Sequence, residues 1–179
     1  MTVLNVIKKA VKILGDENLL AYLDGGEVDS DYQEDKDLLL MAYNQSLRSV
    51  SMYFPLTYTE SFSPIDNLVK YERFSFNPFK IKNVKAKSGG YEIFPTEISA
   101  NSDITVEYYY FPKAEDYSEE YSFKGVCDET DIAYGILAEY LLYKGRYSEG
   151  STYFDKFINA LSSYSRAQKK SKLKSREWF

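Results

Sequence analysis

The chain changes its hydrophobic period twice. Val3, Ile7, Ala10, Val11 and Leu14 recur at helical spacing, with Thr2 placed to cap the helix and Gly15 to end it. A short helical turn is expected over 17–23, then a polar loop, Asp24 to Asp31, with flexible glycines at 25 and 26. Residues 34–54 read as a long helix through Leu40, Tyr43, Leu47, Val50 and Phe54. Its acidic start (Glu34, Asp35, Asp37) suits the helix dipole, and Pro55 stops it because proline has no backbone N–H to donate.

From 56 to 112 the period becomes that of strands. Leu56–Phe62 is rich in β-formers, Phe79–Ala86 alternates apolar with basic or polar residues, and Ile104–Tyr110 is the strongest strand signal, closed by Pro112. Ser88-Gly89-Gly90 reads as a hairpin turn into Tyr91–Phe94, and Asn101-Ser102-Asp103 as a second turn after Ile98. The spacings predict an antiparallel meander of short strands.

A polar, acidic connector over 113–124 leads back to helical spacing. Asp128 is placed to cap a helix that is apolar nearly all round, from Ile132 to Tyr143. Lys144-Gly145-Arg146 breaks it, and a one-sided helix follows through Tyr147, Phe154, Phe157, Ile158 and Leu161. Helices, then strands, then helices predict an α+β fold. It is mainly an α-helical bundle, built from N-terminal helices (1–55) and a C-terminal helical hairpin (113–165). An antiparallel β-meander is inserted over 56–112, and a basic C-terminal arm spans 166–179.

Composition narrows the chemistry. The 179 residues include no His and one Cys, so no internal disulfide, no Cys/His or Ser/His/Asp set and no His-based metal site can form. Cys127 is expected to be inert, and the absence of disulfides suits a reducing cytoplasm. Carboxylate-only chemistry remains open in principle. Glu119-Glu120, however, reads as a solvated acidic face, and Asp128 and Asp131 as an N-cap and a first-turn acid. The acids of 24–31 lack the glycine and the ordered spacing of a calcium loop. Gly89-Gly90 lies in no phosphate-binding motif. No catalytic, cofactor or metal residue is expected, and neither a signal peptide nor a membrane-spanning run is visible.

The charge of −5 is unevenly placed. Arg166, Lys169, Lys170, Lys172, Lys174 and Arg176 face only Glu177 in the last segment, which ends Trp178-Phe179. A basic, aromatic-tipped arm on an acidic body points to an acidic partner, and terminal aromatics gain little unless something buries them. The 18 tyrosines add large contact area with a polar handle.

The order and texture of the whole chain resemble the head-to-tail adaptor (connector, head-completion) proteins of tailed bacteriophages and prophages. The likeness is best over Phe79–Ala86 through Ile104–Tyr108 to Pro112, and over Ile132–Leu142 through Gly145-Arg146-Tyr147 to Phe154–Phe157. The resemblance implies a non-enzymatic virion protein of the phage neck, assembled in the host cytoplasm without a membrane. It implies a twelve-fold homo-oligomeric ring under the portal protein, presenting a platform to the downstream neck or tail protein. Double-stranded DNA would pass through its channel without sequence-specific binding. The arm would then dock on the portal, with Trp178 and Phe179 as anchors and Lys172, Lys174 and Arg176 as charge partners. Other readings stay open: a tail-completion or stopper protein of the same virion, a nucleic-acid-binding protein acting through its basic tail, or a metal-dependent enzyme using carboxylates only. Outside the tail, Lys80, Lys82, Lys85 and Lys87 are the visible basic face.

Overall fold

The computed structural model describes residues 2–26, 30–120 and 127–171. The chain is α+β, with five helices and six strands among those residues. It divides into two compact units: Met1–Phe54 with Lys113–Phe179, and Pro55–Pro112.

The first unit is helical. Helix α1 (Val3–Leu14) is capped by the Thr2 side chain, which accepts from the Asn5 N–H, and it ends at Gly15 in the left-handed conformation. Helix α2 (Glu17–Leu23) is capped by Asp16. Helix α3 (Ser30–Tyr53) begins one turn earlier than the sequence pattern indicated. Asp35 therefore lies inside the helix, where its carboxylate sits against the Lys144 ammonium and the Tyr140 phenol instead of serving the helix terminus.

Helix α4 (Glu129–Tyr143) explains its own composition. It packs against α1, α3 and α5 (Tyr147–Ser171), so Ile132, Ile136, Leu137 and Leu141 are all fully buried on different sides. Each such side chain contributes roughly 1.5–3 kcal/mol of hydrophobic burial. Asp128 and Asp131 close a reciprocal capping box at its start, as the sequence predicted. At the far end Gly145 takes φ +74, which lets the chain reverse into α5.

The acidic connector is structured where it is described. Asn44 of α3 clamps Ala114, accepting from its N–H at 2.7 Å and donating to its carbonyl at 3.0 Å. The Val3 and Leu4 amides donate to the carbonyls of Glu119 and Tyr117 at 3.0 and 3.1 Å, and the Tyr117 hydroxyl donates to the Lys36 carbonyl. The N-terminus of α1 is thereby satisfied by the connector.

The second unit holds two three-stranded antiparallel sheets. One has the order β1 (Leu56–Phe62), β6 (Ile104–Tyr110), β3 (Pro78–Ala86); the other β2 (Leu68–Lys70), β5 (Glu97–Ala100), β4 (Tyr91–Ile93). Pairing is antiparallel throughout, but the order departs from that of consecutive strands: the first strand pairs with the last. Ser88-Gly89-Gly90 is consequently not a hairpin turn. It carries the chain from β3 in one sheet to β4 in the other, and Asn101–Asp103 carries it back. The two crossings are tied together, with the Lys87 N–H on the Asp103 carbonyl and the Ser88 N–H on the Ser102 hydroxyl. The tight hairpin in that region is β4–β5, closed by the Phe94 N–H on the Glu97 carbonyl. Strand β2 had no sequence signal; it is set up by a two-residue turn at Asp66-Asn67, both at positive φ. Phe62, Val69, Phe74, Ile98, Val106 and Tyr108 form the core of this unit.

Candidate interaction surfaces

The arm residues proposed as anchors, Lys172, Lys174, Arg176, Trp178 and Phe179, lie outside the described residues. What is described is the helix that leads to them. Arg146 begins that helix with a bidentate pair to Glu149 (2.8 and 2.5 Å), and Gly150 lets it approach α4, since a Cβ there would stand 3.1 Å from the Ala138 carbonyl. On its inner side Tyr153 stacks on Tyr134 of α4, with the Lys156 ammonium 5.1 and 5.3 Å from the two rings. Along the flank of the Gly150, Phe157 and Leu161 stripe that faces α4, Tyr147 is 69% and Phe154 42% exposed, and Tyr143 at the end of α4 is exposed as well.

A second exposed surface of the helical unit, of mixed polar and apolar character, belongs to α3. Met41, Gln45, Arg48 and Met52 recur at helical spacing on its exposed face, and Met41 and Met52 are 53% and 65% exposed. Methionine is a flexible, polarizable contact residue, and its place here was not singled out from sequence. The signal was present: the two positions fall outside the Leu39, Tyr43, Leu47, Val50 stripe that faces the core.

In the β unit the aromatic residues form two clusters. Phe76 stacks on Tyr110 with centroids 4.4 Å apart, and Tyr58 meets both edge-on. Beneath them Tyr108 donates to Glu60 at 3.2 Å, and burial pushes its phenol up to about 12. On the other face of the same sheet Phe79 stacks on Phe111 at 4.2 Å, beside Tyr109. The lysines of β3 and the turn after it are partly neutralised: Lys82 pairs with Glu107 at 2.5 Å, and Lys87 approaches Asp103 at 3.8 Å.

The candidate chemistry is spent on structure. Cys127 is buried, and desolvation followed by the nearby Asp131 and Asp128 carboxylates pushes its thiol up to about 12, which leaves it protonated and unreactive. Asp128 and Asp131 satisfy backbone amides of α4. Glu119 is not part of a solvated acidic face: its carboxylate caps the Glu115 and Asp116 amides, while Glu120 is exposed. Among the described residues no group of three or more acids or thiols is placed to hold a metal ion. A groove of about 630 Å³ lies in the β unit between Lys70–Glu72 and Pro95–Glu97. No described helix is long and apolar enough to cross a membrane.

No protein-family model matches the chain, and no curated protein matches it.

Proposed function

We propose that this protein is a structural component of a tailed-phage virion: a head-to-tail adaptor that forms a ring on the portal, extends the DNA channel and receives the next neck or tail component. The observation that best supports this reading is the presence of two chemically different exposed surfaces on the helical unit. One is the Met41/Met52 face of α3, the other the Tyr147/Phe154 face of α5. A closed ring of identical subunits needs a heterologous contact, in which two unlike patches meet, and a lone enzyme needs neither. The exposed aromatic clusters of the β unit supply further contact surface of the type enriched at protein interfaces.

The nucleic-acid reading gains little support from the β unit, because Lys82 and Lys87 face the Glu107 and Asp103 carboxylates of the same unit. The arm remains the proposed portal contact. The test is co-purification of the full chain with a tagged candidate portal protein from the same genome, against a chain lacking 172–179, which keeps α5 as described. The full chain is expected to be retained and the shortened one lost. Equal retention would remove the arm from docking, and no retention of the full chain would contradict the adaptor reading.

A further inference from the structure

The two edges of the larger sheet are unlike. The β3 edge is defended: its register is broken between Pro78 and Lys80 and again between Ile81 and Asn83, and it carries Lys80, Lys82 and Lys85. Bulges, lysines and an edge proline are the devices by which proteins stop a sheet from adding a strand. Strand β1 has none of these three, and its one inward-facing charge, Glu60, is held by hydrogen bonds from the Ser75 amide and the Tyr108 hydroxyl. It pairs with β6 in unbroken register over seven residues, Leu56 to Phe62, and holds no lysine. Pro55 and Pro64 stand just outside it, and Thr57, Tyr58, Thr59 and Ser61 are exposed. Among the described residues no backbone hydrogen bond reaches β1 from its outer side. The edges of the smaller sheet, β2 and β4, are three residues each.

The sequence of that edge is complementary to itself. Leu56, Tyr58, Glu60 and Phe62 share the face that looks into the core of the unit, and Thr57, Thr59 and Ser61 share the other. Laid antiparallel on a second copy with Thr59 opposite Thr59, Leu56 meets Phe62, Thr57 meets Ser61, and Tyr58 meets Glu60. The first pair is apolar, and the other two repeat chemistry the protein already uses. The Tyr108 hydroxyl donates to the Glu60 carboxylate, and Ser61 shares a hydrogen bond with Thr105 across the β1–β6 pair at 3.0 Å. Glu60 accepts at 3.2–3.3 Å from the Ser75 amide and at 3.2 Å from Tyr108, within the roughly four bonds a carboxylate can take. A slip of two residues one way would set Glu60 against Glu60, a slip of two the other way would set Glu60 against Leu56, and a slip of one would turn the core-facing set outward, so the Thr59 register is favoured.

We infer that β1 is a docking edge for a second copy of this chain, joined strand to strand about a two-fold axis at Thr59 into one six-stranded sheet. This contact is isologous, whereas neighbours in the proposed ring meet through unlike patches, so it belongs to the free chain and each can fail without the other.

Cysteine cross-linking of the full chain tests it. Directly opposed antiparallel residues have Cα atoms about 4.5 or 5.5 Å apart, inside the disulfide range of about 4.4–6.8 Å. Thr59→Cys is expected to give mostly covalent dimer under mild copper–phenanthroline oxidation. Thr57→Cys and Ser61→Cys are each expected to stay monomeric alone and to cross-link when mixed. Cys127, 8% exposed, leaves little background. Thr59→Lys places two like charges on the axis, while within the chain it faces Glu107, so the fold is kept. Sedimentation should show a monomer–dimer equilibrium for the unaltered chain, weakened at least about tenfold by that change. A chain that sediments as a monomer at about 100 µM, where even a weak dimer would be populated, would overturn the inference. So would Thr59→Cys cross-linking no faster than the two flanking variants alone.

Discussion

Substituting alanine for Gly135 sets two effects of opposite sign against each other. In an exposed helix interior the change stabilises by about 1 kcal/mol, because glycine has the greater freedom to lose on folding. Gly135, however, lies where α3 and α5 close on α4. A methyl group there would stand 2.8 Å from Ser46 Oγ and 3.0 Å from two ring carbons of Phe157. Favourable carbon–carbon contact lies near 3.5–4.0 Å, so the methyl enters the repulsive wall. Neither neighbour has room to retreat: Ser46 is 1% and Phe157 2% exposed, and the Ser46 hydroxyl is held on the Ala42 carbonyl at 2.9 Å. Overpacking of this kind costs about 1–3 kcal/mol. The clash wins, and Gly135→Ala should lose on the order of 1 kcal/mol net. Urea unfolding followed by circular dichroism at 222 nm reads mainly the helical unit. With a slope of about 1–3 kcal/mol/M the midpoint should fall by roughly half a molar at unchanged slope. Phe157→Leu in the same background should recover part of the loss, a coupling that a double-mutant cycle isolates. A variant more stable than the parent would refute the close crossing of these helices.

Four further outcomes follow. Asn44→Ala removes both bonds that pin Ala114 and should cost about 1–3 kcal/mol in the same assay; an unchanged midpoint would show that the connector holds without its clamp. Asp128→Ala opens the capping box and should cost about 0.5–2 kcal/mol, and no loss would remove the cap from the account of α4. The alkaline limb carries a definite sign: Cys127 and Tyr108 are each pushed up to about 12, and Tyr117 and Tyr140 are raised, in all four cases chiefly by burial. Their stabilising protonated forms are complete below the unfolded values near 9–10 and are lost as pH rises toward 12, so the urea midpoint should fall between pH 8 and 11, and a flat profile would contradict it. Glu139 is raised by desolvation, so ionising it opposes folding; Glu139→Gln should raise the midpoint at pH 7 and leave it unchanged near pH 3, and a gain of equal size at both would point to another cause.

Much of the fold was legible because local signals and tertiary packing agree. Thr2, Gly15, Pro55, Asp128 and Gly145 mark helix ends by chemistry that does not depend on the rest of the chain. Helix α4 was recognisable as central because only a helix covered on several sides tolerates so apolar a surface. What the sequence hid is pairing. Strand β3 ends beside a glycine turn that would suit a hairpin, yet its partner is β6, because seating Val84 against Val106 and Ala86 against Ile104 buries both strands in one core. Strand β2 is three residues long, too short for alternation to register, and its turn uses Asp-Asn instead of a glycine. The roles of Asn44, Tyr117 and Glu119 depend on contacts across scores of residues or on turn geometry, and no spacing rule announces them. The arm was legible only as composition, a run of cations ending in two aromatics.

The adaptor reading is tested most directly by imaging. The full chain is co-expressed with a candidate portal protein from the same genome, and the purified assembly is examined by negative-stain electron microscopy beside one made with a chain lacking 172–179. The account predicts a portal ring carrying an added tier of density, absent when the arm is removed. Portal rings without added density in the presence of folded full-length chain would contradict it.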